Sequence, residues 1–428
     1  MDEITHSDKN ITAFGGLNFI FKAICDKGID QYLDERIGYR GVCAKYSHSD
    51  VVLSLLGNAL VQGSFVSDLQ VLKGKYKEQY FHQIPSPDTV EYVCQGLKTK
   101  TIKKTTDKGV THSLNYSNDM NETLVGLAVK TGQLKAGRHG YVLDFDNVVV
   151  ENEKQDAIRS YKKTKGYHPN LAFIGRIPVH IENHNGNTPA KYGQKETLER
   201  CFGNLDRAGI RLGAFRADSA SYQKEVIALA QQHADSFYIR IIDCEKLRKQ
   251  CGAVKQWNKV AINNLSKEVA TIEYKPFGKD QAYRAVITRT QRNDKQIDIL
   301  SGTAYDYYGI ITNDKVKNDQ QVIEFYNQRG DAENSNRYIL NDFNLHHLPF
   351  PDMCTNTVFM YLMAMCATLF EWIKQVLVTN KTKAISANMR VKAVCFHYIA
   401  VATTYITHAR KRILKVFAPS DSYRPLTI

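Results

Sequence analysis

Two absences bound this chain before anything positive is read from it. No CxxC pair occurs among its nine cysteines, which are scattered from Cys25 to Cys395. The closest two, Cys244 and Cys251, have six residues between them, so neither a zinc module nor a disulfide framework fits. Reduced thiols, most of them buried, are expected. Long apolar runs are missing too. The longest uncharged one, 358–370, ends at Glu371 and falls short of the ~20 residues that cross a bilayer. It predicts a buried core helix and no membrane partner. The polar opening MDEITHSDKN does not read as a signal peptide, so a cytoplasmic location is the expectation.

Proline is scarce, at 10 of 428 residues, and 43% of the chain is hydrophobic, which excludes disorder as the default. That length suggests two or three domains. Acid is in short supply relative to base: 44 Asp and Glu face 57 Lys and Arg, a net charge of +13 with a pI near 9.1. Such a surplus suits a polyanionic partner, because neutralised phosphates release counterions. A basic but indifferent surface explains the charge equally well, so charge alone decides nothing.

The periodicity predicts a mainly helical region over 1–135. Ser49 offers a cap to the apolar run 49–57, and Ser86-Pro87-Asp88 opens a helix over 89–97. Lys98, Lys100, Lys103, Lys104 and Lys108 then read as a solvated helix end or a phosphate-contacting patch. After the break at 137–140, strands are predicted at 141–150, 171–182 and 212–217, and helices at 195–208 and 221–233. Asn185-Gly186-Asn187 is turn chemistry. This alternation argues for an α/β layer structure. Residues 236–315 read as mostly β, 314–340 as helix, and the remainder as apolar helix with a basic tail, His408, Arg410, Lys411, Arg412 and Lys415, that is either a nucleic-acid contact or a charged helix end. The expected divisions are 1–135, a helical DNA-binding region; 136–235, the first part of a core; 236–315, a β-rich insertion; 316–350, a core helix; and 351–428, a helical C-terminal region.

Three constellations could carry chemistry. In LDFDN, Asp144 and Asp146 share one strand face, which is costly unless solvated or shared by a cation. In RADSASY, Asp218 ends a strand before a helix, where open α/β sheets place their sites, although a helix cap explains it as well. In YNQRGDAEN, Tyr326, Arg329, Glu333 and Arg337 fall within about 80° on an ideal helix. A surface Arg329–Glu333 pair is the plainer explanation, but Gly330 weakens any purely stabilising role. Lys162, Lys163, Lys165 and Tyr167 either line a path for DNA near the first Asp or form a solvated loop. His346-His347 has no third ligand at suitable spacing and reads as loop.

Together these stretches resemble the DDE transposases of bacterial insertion sequences, in the subgroup whose third-carboxylate helix carries a Tyr–Arg–Glu–Lys signature. VLDFDN, YKKTKGYHPNLAF, RADSASY and YNQRGDAEN occur in that order, and the similarity is strongest over 141–343. The resemblance implies an RNase H-like mixed sheet flanked by helices, with a β-rich insertion and helical N- and C-terminal regions. It puts the catalytic carboxylates on Asp146, Asp218 and Glu333, with Asp144 the competing first Asp and a further metal ligand. Two Mg²⁺ ions, replaceable by Mn²⁺, would sit between them. Tyr326 and Arg329 match the signature and, with Arg337, Lys162, Lys163 and Lys165, would bind DNA. The signature Lys falls on Leu340, a departure for which Arg337 could substitute. The 114 residues between Asp218 and Glu333 leave room for the insertion, in which Trp257 reads as a core residue rather than a base-stacking one.

The function expected is cut-and-paste transposition: binding terminal inverted repeats in double-stranded DNA, then excision and insertion, with a homodimer pairing the two ends. A nuclease on the same core that cuts without strand transfer, or an inactive DNA-binding regulator, are the alternatives.

Overall fold

The computed structural model describes residues 4, 10–76, 82–262, 264–278, 281–292, 297–299, 302–382, 385–419, 423–424 and 426, with backbone only for 331–334. One mixed sheet of eleven strands organises these residues. At its centre Ile177–His184, Asn170–Ile174 and Tyr141–Asn147 form an antiparallel meander, and Leu212–Ala217 and Ala234–Arg240 continue it parallel to Tyr141–Asn147. This is the strand order of an RNase H-like core. Alternation along Tyr141–Asn147 splits its side chains: Leu143 and Phe145 enter one apolar core, while Asp144 and Asp146 face the other side.

Helices cover both faces. Asn118–Lys130, Gln194–Arg207 and Lys224–His233 pack on the Leu143 face, contributing Val125, Phe202 and Ile227 among others. Asp319–Asn327 covers the opposite face through Val322, Ile323 and Tyr326, which meet Ala214 and Tyr238. Met353–Thr379 packs beside His48–Leu60 at the centre of the largest apolar core. At 27 residues it is longer than expected, and by length and composition it could cross a membrane, yet 94% of its most apolar window is buried in the protein.

The insertion is an antiparallel meander of Asn258–Ile262, Leu265–Tyr274, Tyr283–Gln291 and Tyr305–Thr312. Its last strand pairs with Ala234–Arg240, so it widens the core sheet instead of forming a separate one. The division expected at 235/236 falls inside that strand. Within the stretch expected as mostly β, the described residues among 297–304 contribute only the isolated bridge Asp298↔Thr303.

Several local expectations are corrected. Ser47, not Ser49, caps the helix His48–Leu60, in a reciprocal capping box with Asp50, while Ser49 bonds the Asp34 carboxylate. Ser86 and Pro87 do open their helix as expected. The lysines at 98–108 end on an exposed hairpin, Ile102–Thr105 and Thr111–Asn115, that extends the sheet edge. The single strand expected at 171–182 is two strands turning at Gly175-Arg176, where Gly175 takes a φ of 61°. The helix expected at 314–340 breaks at Gln328-Arg329 into Asp319–Asn327 and Gly330–Asp342. The C-terminal region is not all helical, because its basic tail forms the hairpin Thr403–His408 and Lys411–Val416.

Candidate active site

Register sets the first distance in the site. Asp144 pairs with Arg216 and Phe145 with Ala217 on adjacent parallel strands, so Asp146 and Asp218 follow side by side at the carboxyl ends. Neighbouring strands lie about 5 Å apart.

The two aspartates of LDFDN have different surroundings. Asp144 is buried and receives both arms of Arg216: Nε to Oδ1 and Nη2 to Oδ2, each at 2.7 Å. Arg216 also donates Nη1 to the Phe325 carbonyl at 2.7 Å, tying the strand to the helix above it. Asp146 is partly exposed, with Oδ1 2.8 Å from Arg329 Nη2 and Oδ2 accepting from Asn336 Nδ2 at 2.8 Å. Asp218 is also partly exposed, and its Oδ1 accepts from the Ala220 backbone N–H at 2.9 Å, capping a short 3₁₀ turn. The capping role and the strand-end position are thus both present in one residue.

Arg329 is the electrostatic centre of the group. Burial opposes its charge, but Asp146, Tyr326, Asp218 and Asp144 more than offset this, and its pKa is raised. Tyr326 is buried, its hydroxyl donating to the Ala217 carbonyl at 3.2 Å, just before Asp218. Burial first, then Tyr308, push its phenol well above the ordinary range, so it stays protonated. Both of these residues, expected to contact DNA, are buried.

On the helix Gly330–Asp342, Asn336 donates to Asp146 while Arg337 is exposed. Glu333 lies on Gly330–Asp342, but its side chain is outside the described residues. Leu340, where the resemblance puts the signature lysine, is partly buried against the large core.

The lysines of the KGYHP stretch sit on a small three-stranded sheet formed by Val150–Glu151, Lys165–Tyr167 and Ile158–Arg159. Its backbone is so close that a Cβ at Gly166 would lie 2.3 Å from the Val150 carbonyl oxygen. Lys162 and Lys163 occupy the exposed turn, and Lys165 is 3.3 Å from Glu153. Lys162 and Asp218 both act electrostatically on His168, which puts the turn and the Asp218 strand end in one neighbourhood.

Sequence reasoning missed a polar chain behind the two strand ends. Gln223 donates to Gln194 Oε1 at 3.3 Å and to the Ala220 carbonyl at 2.9 Å, and Gln194 donates to Asn147 Oδ1 at 3.3 Å. Asn147 in turn meets Asn170, which contacts His184 and Thr197. Both of these reach Glu182, whose carboxyl is held at about 2 by His184 and Arg200 against the cost of burial. Arg216 did carry a signal: a basic residue stands two before Asp218 just as Asp144 stands two before Asp146, and parallel register sets the two face to face.

Elsewhere, Trp257 is partly buried under Arg289, 4.5 Å from its ring, and Tyr307, as a packed residue should be. His346 and His347 are exposed in a loop. All nine cysteines are free and five are buried. Among the described residues, no group of three or more His, Cys, Asp or Glu could hold a metal ion. The donors at the strand ends are carboxylate oxygens alone, the set that hard divalent cations prefer, and Asp146 and Asp218 both keep partial exposure.

No curated protein sequence matches this one. Among solved structures the chain is similar to a piggyBac transposase synaptic complex with hairpin DNA, determined by cryo-EM. That similarity has 10% identity over 90% of this chain and 79% of the other, with a TM-score of 0.44. Residues 71–424 match the family described as transposase DDE domain group 1, most of the chain, and to that family the protein belongs.

Proposed function

We propose that this transposase cuts and rejoins DNA with Asp146, Asp218 and Glu333, in cut-and-paste transposition between terminal inverted repeats. Family membership makes the protein a DNA transposase whose reaction is metal-dependent strand cleavage and transfer. The observation that carries the residue assignment is the pairing of Phe145 with Ala217, which sets two carboxylates side by side at parallel strand ends. Asp144 is engaged by Arg216 on both oxygens, which favours Asp146 as the first ligand. Two Mg²⁺ ions bound there would supply Lewis acidity to the attacking and leaving oxygens of an in-line displacement.

The chain's own contribution is positioning and charge. Asn336 orients one oxygen of Asp146, and the Ala220 N–H orients one of Asp218. Tyr326 holds the Asp218 strand end through the Ala217 carbonyl. Arg329 would offer its guanidinium to a phosphate entering between the two aspartates. Arg337 would do so from the exposed side of its helix, and Lys162 and Lys163 from their turn, with Lys165 shared with Glu153. Water attacks first to nick, breaking the P–O3′ bond, and the freed DNA 3′-hydroxyl then attacks a target phosphodiester and displaces the target strand's own 3′-oxygen. A homodimer on DNA would pair the two element ends. The helical region 1–135, with its lysine hairpin, would contribute to DNA binding.

Mg²⁺-dependent cleavage of an element end, followed by joining of the 3′-hydroxyl end to a target duplex, tests this reading. Glu333→Gln should abolish both steps while leaving DNA binding intact, and full activity in that variant would sink the assignment. Cleavage without joining would instead identify a nuclease.

A further inference from the structure

The C-terminal hairpin is a two-stranded ribbon that the catalytic assignment leaves unexplained. Between Glu371 and Asp421 the sequence has no Asp or Glu, against nine Lys and Arg. Four of these bases, Arg410, Lys411, Arg412 and Lys415, lie on the ribbon or its turn. Register sorts its side chains into two faces. Tyr405 pairs with Leu414 and Thr403 with Val416, and this face packs on the main core through Tyr405 and Leu414. The other face pairs His408 with Lys411, Ile406 with Ile413 and Thr404 with Lys415.

Beyond the buried Thr404, which donates to the Asn10 carbonyl, that second face is turned to solvent. His408, Lys411 and Lys415 are exposed, and Ile406 and Ile413 keep 43% and 41% of their surface open. Among the described residues none forms a salt bridge with Arg410, Lys411 or Lys415. The turn itself is unusual in composition. Ala409 and Arg410 take φ of 49° and 64°, a pair of left-handed residues that Asn-Gly would fill with less strain. An arginine at that tip is poorly explained by folding.

We propose that this ribbon docks in the major groove of duplex DNA as a contact separate from the strand-end carboxylates. A major groove about 12 Å wide admits a two-stranded β-ribbon. Lys411, Lys415 and Arg410 would meet phosphates, and the Ile406–Ile413 pair would meet the apolar methyl groups on the groove floor. Acid-free chain on either side keeps like-charge repulsion from the phosphates away. The proposal rests on DNA being the partner, but not on which residues bind metal.

The test is anisotropy of a labelled mixed-sequence duplex, about three helical turns long, titrated with the full chain over a range of salt. Arg410→Gly/Lys411→Thr/Lys415→Thr should raise Kd at least about tenfold and reduce the salt slope by about 2–3. Ala409→Asn/Arg410→Gly separates binding from folding, because it should raise the melting temperature and still weaken binding. Unchanged Kd and slope in both variants would overturn the proposal while leaving the transposase reading intact. A shift in oligomeric state without DNA, at unchanged Kd, would overturn it in favour of a second copy of the chain as the occupant. Failure of the wild-type chain to bind any duplex would overturn both this proposal and the function above.

Discussion

Arg216 grips Asp144 at two points, both 2.7 Å, from the adjacent parallel strand, while Asp146, two residues on, faces Arg329 and Asn336 at the partly exposed strand end. One face of one strand therefore carries a carboxylate committed to the fold and another available to chemistry.

Exchanging these two aspartates should separate stability from activity. Arg216→Met leaves Asp144 charged and buried without its partner, which costs on the order of 3–5 kcal/mol. Asp144→Asn should also destabilise. Asp146→Asn should change stability by less than about 1 kcal/mol yet abolish metal-dependent cleavage. Urea unfolding alongside a cleavage assay checks the pair. Equal loss of stability in the Asp144 and Asp146 variants would refute the division.

On the proposed assignment Asn336 acts through Asp146, to which it donates at 2.8 Å. Its replacement by Ala should lower kcat roughly 10- to 100-fold, the usual effect of removing a group that orients a metal ligand. KM for DNA should stay close to wild type. Arg337→Ala, on the exposed side of the same helix, should do the reverse, weakening DNA binding with little change in turnover.

The exposed turn of the KGYHP sheet should respond to salt. Lys162→Ala and Lys163→Ala should each take about 0.9 from the slope of log K against log salt if each contacts a phosphate. Lys165→Ala should take less, because Glu153 already shares its charge. Three equal reductions would contradict the geometry.

Acid should destabilise the fold well above the carboxylate range. Burial lowers His82 and His180 to about 4 from an ordinary 6.5. Between those values the unfolded chain binds protons that the folded chain excludes, so stability is complete above pH ~6.5 and falls as pH drops toward ~4. Each histidine contributes up to roughly 3 kcal/mol of this loss. Glu182, held at about 2, adds a second loss only below its unfolded value of 4.5. Melting curves from pH 7 to 4 should flatten in His180→Leu, which removes the titrating group from a fully buried position. An unchanged profile would remove His180 from this explanation.

Much of this was legible from residues alone where one local rule dominated. The strand at 212–217 and the helix near 194–207 follow directly from apolar periodicity, and Ser86-Pro87 marks a helix start by cap chemistry. The turn at Gly175-Arg176 was hidden because apolar residues run on both sides of it. The break at Gln328-Arg329 is hidden because neither position carries a helix breaker, so the periodicity runs on across two helices. The contact of Asn336 with Asp146 comes from packing between distant segments, which helical spacing does not show. The ribbon near the C-terminus read as a helix end because Ala409-Arg410 lacks the Asn or Gly that ordinarily announces a hairpin. The role of Arg216 is not legible in its motif, since pairing between distant strands is a property of register, which no local window contains.

The meander that widens the core sheet has a mechanical consequence. Five hydrogen-bonded ladders in series run from Asn258–Ile262 to Leu212–Ala217, the strand that ends at Asp218. The insertion is thus braced like an outrigger and cannot swing on a linker without breaking a ladder. A duplex leaning on it loads the strand beside the carboxylates directly, as a change in sheet twist.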